Sequence, residues 1–262
     1  MKPLLETDVP PVARPGLDAW AQMTITEARL VWRDTASFIL PLALPLLLLI
    51  MNGIGAEDAP TAELGGHTPF ETFVVPVTIV MVIAIIGLVN MPESLVPYRK
   101  SGVLRRLSAT PAHPAMVLVA HMLVSLAQTL VGIVLALVVA RAAFGMAWPT
   151  RPAAALAALV LTCAAMYAAG MLIAALAPTT NTALSIGLVA LLVMMALGGV
   201  FGGPQNLPDW LATVGGHLPF GAAVETLSAA WTGEALDTGR LAVLGSVTVV
   251  ASFAATRWFR WQ

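Results

Sequence analysis

Six apolar stretches run through the chain, at residues 36–52, 71–91, 113–142, 153–177, 182–201 and 239–258, and no Asp, Glu, Lys or Arg lies in the middle of any of them. A helix needs about 20 predominantly apolar residues to cross the ~30 Å hydrocarbon layer of a bilayer. Within that layer each backbone N–H and C=O must be paired inside the protein, so only helices and closed barrels span it. The short alternating segments and aromatic girdles of a barrel are absent. The pattern therefore predicts an all-α integral membrane protein with six transmembrane helices. Composition agrees: 58% of residues are hydrophobic and 10% charged, where soluble domains carry about 25% charged residues. The third stretch exceeds one crossing and is expected to tilt or protrude. No internal repeat is evident. Residues 17–262 read as a single membrane domain behind a disordered tail at 1–16.

That tail, MKPLLETDVPPVARPG, is polar and Pro-rich and lacks the apolar core and cleavage site of a signal peptide. Residues 17–33 follow as an amphipathic helix, with Leu17, Ala21, Ile25, Ala28 and Trp32 on one face and Asp18, Gln22, Thr26, Arg29 and Arg33 on the adjacent one. Such a helix lies in the membrane interface, where Trp20 and Trp32 are favoured. Basic residues set the orientation. With a cytoplasmic N-terminus, that side holds Lys2, Arg14, Arg29, Arg33, Arg99, Lys100, Arg105, Arg106, Arg257 and Arg260, ten of the 13 basic residues. Arg141, Arg151 and Arg240 fall outside, and the first outer loop carries Glu57, Asp58 and Glu63 with no basic residue. An even number of spans returns the C-terminus, with Trp258 and Trp261 as interfacial anchors, to the cytoplasm.

Several function classes lack their chemistry here. Ion- and proton-driven carriers place titrating groups inside their spans; this chain offers His121 and the neutral Asn90, Ser125, Gln128 and Thr129. Charged rings and carbonyl-filter sequences of selective pores are missing. So are HExxH and paired-cysteine motifs, and His67, His113 and His217 are scattered through separate loops, so no metal site is expected. The single cysteine, Cys163, rules out a disulfide within the chain. No residue is expected to be catalytic, and no nucleic-acid partner is expected. The phosphate-cradling GxxxxGK[ST] pattern is also absent, because the one Lys-Ser pair, Lys100-Ser101, lacks its glycines. A pump built on this chain must draw its energy from another subunit.

The densest cationic cluster, YRKSGVLRRLSATP at 98–111, sits between spans two and three. Pro92, Pro97, Pro111 and Pro114 bracket the segment, and Val103, Leu104 and Leu107 give it an apolar side. It is too short to be a stable free helix in water and needs a surface to dock on. Charge alone allows two readings: a loop on anionic lipid headgroups, or an element that inserts into a partner protein.

The segment resembles the cytoplasmic loop after span two in permease subunits of ABC transporters of the ABC-2 type, the daunorubicin/multidrug-exporter branch in particular. The matching residues are Glu93, Arg99, Gly102, Val103, Leu104, Arg105, Arg106, Leu107, Ala109, Thr110 and Pro111. It departs from that pattern after Glu93, where SLVPY stands in place of a more continuous basic run. A second match is MMALGGVFGGPQNLPDWLATVGGHLPF at 194–220. It is similar to the family's fifth span and outer re-entrant hairpin through Gly199, Phe201, Pro204, Leu207, Pro208, Trp210, Leu211, Leu218 and Pro219. Physically, the glycines from Gly198 to Gly203, with Pro204 and Pro208, must break span five, and the Gly198/Gly202 and Gly199/Gly203 pairs permit close helix contact. The likeness covers almost the whole chain after residue 15.

The resemblance implies a permease subunit of an ATP-driven exporter in the bacterial cytoplasmic membrane, not itself an enzyme. The 99–111 segment would be the coupling helix that contacts the nucleotide-binding subunits, which supply ATP and Mg²⁺ chemistry. A second permease copy or a paralogue would complete the pathway, amid membrane lipids. The absence of charged lining favours an amphiphilic or hydrophobic cargo, and Asn90, Met194 and Met195 are candidate pathway residues. Two other readings stand beside it. A lipid-linked glycan exporter of the same superfamily is disfavoured by only 6% aromatic residues. A non-transport scaffold would use the basic loop to bind lipid.

Overall fold

The computed structural model describes residues 16–55, 64, 66–101, 115–201 and 206–258. Nine helices account for the order among them: α1 Leu17–Arg33, α2 Thr35–Ile54, α3 Phe70–Lys100, α4 Ala115–Phe144, α5 Pro152–Leu176, α6 Thr180–Leu197, α7 Asp209–Gly216, α8 Pro219–Thr232 and α9 Thr238–Trp258. Helices α2, α3, α4, α5, α6 and α9 are long and apolar enough to cross a membrane, and no strand occurs among the described residues. Five of the six begin and end within a few residues of the expected spans.

The second span differs. Its helix continues past Met91, through Pro92 and Pro97, to Lys100. Proline stops a helix by removing an N–H and crowding the carbonyl four residues earlier. Here a wide turn at Ile86–Asn90, in which the Met91 N–H reaches back five residues to the Ile86 carbonyl, resets the ladder just before Pro92. Such π turns absorb an irregularity without ending the helix. Pro92 then stands in the first turn of the next α-helical segment, where its missing donor costs little.

Helix α3 is the axis of the bundle. In its most apolar window 89% of residues are buried, against 17–39% in the other five spans, and α2, α4, α5, α6 and α8 all pack on it. Close packing at the Ile86–Asn90 turn depends on glycine. A methyl group on Gly170 of α5 would overlap the Gly87 carbonyl, and one on Gly187 of α6 would overlap the Leu88 carbonyl. Small residues at such crossings let backbones meet. Helix α9 lies along α5, and α8 wedges between α3, α5 and α9. On α2, Ile39, Leu40, Leu44, Leu47, Ile50 and Met51 remain exposed, as a lipid-facing or chain-facing surface requires.

Helix α2 carries Pro41 and Pro45 in its interior. Pro41 has no N–H to give the Ser37 carbonyl. That carbonyl instead accepts from Asn90 Nδ2 of α3 at 2.6 Å and Gln128 Nε2 of α4 at 2.8 Å. Both amides are buried. In a medium without water the freed carbonyl must find a donor inside the protein, and two spans contribute one each.

Candidate functional site at the basic end of the bundle

Helix α1, the start of α2, the end of α3, the start of α4 and the end of α5 meet at one end of the bundle. Here the basic segment leaves α3 at Ser101 and re-enters at α4. Gly102, Val103, Leu104, Arg105, Arg106, Leu107, Thr110 and Pro111 lie outside the described residues, so the geometry concerns the stems that carry them. Glu93 is half-buried on the added turns of α3.

Arg99, expected in the docking segment, turns back into the bundle. Its Nη1 donates to the Ala174 carbonyl at 2.9 Å and also to Ala175, and its Nη2 donates to Ala177. These carbonyls close the C-terminus of α5, where the last C=O groups have no partner in the helix and a cation is favoured by the helix dipole. Arg99 thus ties the end of α3 to the end of α5. Lys100, one residue on, is exposed.

Helix α1 is turned the opposite way from an amphipathic helix of a soluble protein. Leu17, Ile25 and Trp32 are exposed, and its buried residue is a carboxylate, Glu27, 3% accessible. Tyr98 Oη of α3 donates to Glu27 Oε1 at 2.5 Å, and His121 Nδ1 of α4 lies 3.5 Å from Glu27 Oε2. His121 is equally buried, and its Nε2 has no partner among the described residues. Met23, Tyr98 and Leu118 pack with Val117 and Ala175 in a small apolar cluster at this end. The role of Glu27 was not anticipated from the sequence, although on a helical wheel it falls with Trp20, Met23, Thr24 and Val31 rather than with Asp18 and Arg29.

The candidate pathway residues are not brought together. The Asn90 amide is committed to the Ser37 carbonyl. Met195 is buried in the core with Met194 packed beside it; both stand about two turns farther along α6 than the Gly187 crossing. A cleft of about 710 Å³ opens instead among α4, α5 and α9, lined by residues that include Met122, Leu126, Tyr167, Met171, Ser252 and Thr256. Its walls are almost wholly apolar, and the Tyr167 hydroxyl at its back is bonded to Thr129 at 2.7 Å.

At the opposite end the segment after α6 is a helical hairpin. Gly199, at φ +78°, turns the chain out of α6, a backbone that L side chains rarely adopt. Pro208 caps α7, and Pro219 stands in the first turn of α8. Phe201 and Trp210 are exposed, whereas Phe220, Leu227 and Trp231 of α8 are buried; Pro204 lies outside the described residues. A methyl on Gly215 would overlap the Leu197 carbonyl, so α7 sits directly on the end of α6.

A polar network fastens this hairpin to the head of α3. Buried Glu71 accepts from the Ala147 N–H at 2.6 Å, the Thr68 N–H at 3.1 Å and His67 Nδ1 at 2.9 Å. His67 Nε2 meets Thr150 Oγ1 at 3.1 Å, Thr150 donates to the Trp231 carbonyl at 2.7 Å, and Trp231 Nε1 donates to the Ala147 carbonyl at 3.2 Å.

Comparison with curated proteins gives no match. A family model described as ABC-2 type transporter matches residues 19–231, from the first turn of α1 to the buried Trp231 of α8. The chain carries the six apolar helices of a multi-pass membrane protein, and with that match over most of its length it belongs to the ABC-2 type transporter family, as a membrane-embedded permease component of an ABC transporter.

Proposed function

We propose that the chain is the permease half of an ATP-driven exporter that moves an amphiphilic or hydrophobic compound out across a bacterial cytoplasmic membrane. The basic end faces the cytoplasm with both termini, as the distribution of lysine and arginine requires. Two such chains, or this chain and a paralogue, line the route, and separate nucleotide-binding subunits, with their ATP and Mg²⁺, dock beneath. The observation that carries the reading is the course of α3. The most buried helix of the bundle runs unbroken into the basic segment, so a push on that segment acts on the helix around which the other spans pack.

In this mechanism closure of the ATP-bound subunits presses on the Arg105 and Arg106 segment and tilts α3 and α4 together. The ligand biases a two-state element by binding one state better than the other. The cargo class is supported by the apolar spans and by the almost wholly apolar cleft among α4, α5 and α9. A drug, natural product or lipid partitions there, whereas an ion does not.

The test is Arg105→Glu with Arg106→Glu in the chain purified with its ATP-hydrolysing partner. Reversing two charges on the docking face should abolish the chain's stimulation of phosphate release while leaving membrane insertion and elution volume unchanged. Wild-type stimulation by the double variant would refute the coupling assignment.

A further inference from the structure

We infer that Glu27, Tyr98 and His121 form the joint through which the interfacial helix α1 moves with the coupling segment, with Glu27 as its positioning residue. The inference rests on the permease reading and goes beyond it, because neither the basic segment nor the family match requires a buried carboxylate on α1.

Three observations carry it. First, burying a carboxylate is costly unless it is paired and hydrogen-bonded, and an apolar residue would pack α1 against α4 at no such cost. Glu27 is nonetheless the buried residue of α1. Second, its partners stand on either side of the coupling segment. Tyr98 lies on the last turn of α3 before it, and His121 lies on the second turn of α4 after it. One carboxylate thereby holds both stems to a third helix.

Third, the cluster is incompletely satisfied. In the network at the opposite end each polar group around Glu71 and His67 has a partner. Here the Glu27–His121 contact is at the outer limit of a hydrogen bond, at 3.5 Å, and His121 Nε2 is buried without a partner among the described residues. An unpaired polar atom in a native core calls for an explanation. A joint with a second arrangement supplies one: displacement of the stems by the coupling segment shortens or breaks the contacts to Glu27. With Glu27 and His121 each 3% accessible, little water reaches the groups set free. Helix α1 then follows the stems or loses its anchor.

The experiment compares variants of the full chain in complex with the ATP-hydrolysing subunit that co-purifies with it, in vesicles of phosphatidylethanolamine and phosphatidylglycerol. The readout is phosphate release by the complex relative to the subunit alone. Glu27→Gln keeps the shape and an acceptor for Tyr98 but removes the charge; it is expected to cut the stimulation at least ~5-fold, the lower range of an allosteric coupling, with stoichiometry and melting midpoint of the complex retained. Glu27→Asp, which keeps the charge, should recover part of the stimulation. Tyr98→Phe should lower it too, and the Glu27→Gln/Tyr98→Phe pair should be no worse than Glu27→Gln alone. Wild-type stimulation in Glu27→Gln, or independent multiplying losses in the pair, would overturn the inference while leaving the permease reading intact. If Glu27→Gln fails to assemble, Tyr98→Phe, which deletes one hydroxyl, decides in the same way. A wild-type chain that neither retains nor stimulates such a subunit overturns both.

Discussion

The Ser37 carbonyl offers a quantitative test of how the bundle is held together. Pro41 leaves it without its helical donor, and Asn90 and Gln128 supply two replacements from two other spans. Asn90→Leu or Gln128→Met removes one of two donors and leaves the oxygen satisfied, so each should cost about 0.6 kcal/mol, the mean for hydrogen bonds between membrane helices. Removing both leaves a part-buried carbonyl without a protein donor, which adds a desolvation penalty of about 1 kcal/mol, the low end for an unsatisfied group. The double variant should therefore fall below the sum of the singles by about 1 kcal/mol, a coupling expected only of groups that share a partner. Pro41→Ala restores the N–H that reaches Ser37 and should make both amides dispensable. Reversible unfolding of the purified chain by sodium dodecyl sulfate in mixed micelles, followed by tryptophan fluorescence, measures each step. Additive losses within about 0.5 kcal/mol, or no rescue by Pro41→Ala, would refute the assignment.

Other expectations follow from particular contacts. Gly170→Ala should destabilise the chain by about 1–3 kcal/mol through overpacking against the Gly87 carbonyl, reversing the usual gain of alanine over glycine in a helix; the same unfolding assay reads it, and a rise in stability would contradict the crossing. Arg99→Gln should lower stability by about 1–2 kcal/mol by uncapping α5, and hydrogen exchange should rise at Ala174–Ala177 rather than along α3. Burial holds the Glu225 carboxyl of α8 above the usual glutamate range despite its Arg240 neighbour at 2.5 Å. The folded state then binds more protons than the unfolded one, so stability should fall as pH rises from the ordinary glutamate range through the raised value. Glu225→Gln should flatten that fall in a melting series across pH, and an unchanged slope would contradict it.

The spans were legible because lipid excludes charge. Runs without Asp, Glu, Lys or Arg mark the helices to within a few residues, and α1 and the hairpin after α6 could be placed from amphipathic spacing and from Gly199, Pro208 and Pro219. The apolar run at 71–91 ends where Pro92 and Pro97 begin, and a proline locally disfavours helix, while the π turn that accommodates Pro92 goes with the packing of Gly87 against Met166 and Gly170. The same limit explains Arg99, Asn90 and Glu27. Each has its partner 53 to 94 residues away, and a lone sequence carries no signal that pairs an amide in span two with a carbonyl freed by a proline in span one. Arg99 read as one more cation of a docking face because its neighbours Lys100, Arg105 and Arg106 carry the same charge. The basic segment at 102–111 lies outside the described residues, and its coupling role is proposed from its sequence.

The most direct test of the central claim is purification of the chain from its native membrane in several mild detergents, with mass spectrometry of what accompanies it. The account predicts a stoichiometric soluble subunit that carries GxxxxGK[ST] and hydrolyses ATP faster in the complex than alone. A pure preparation with no such subunit in any detergent would contradict it and make the 98–111 segment a lipid-binding loop.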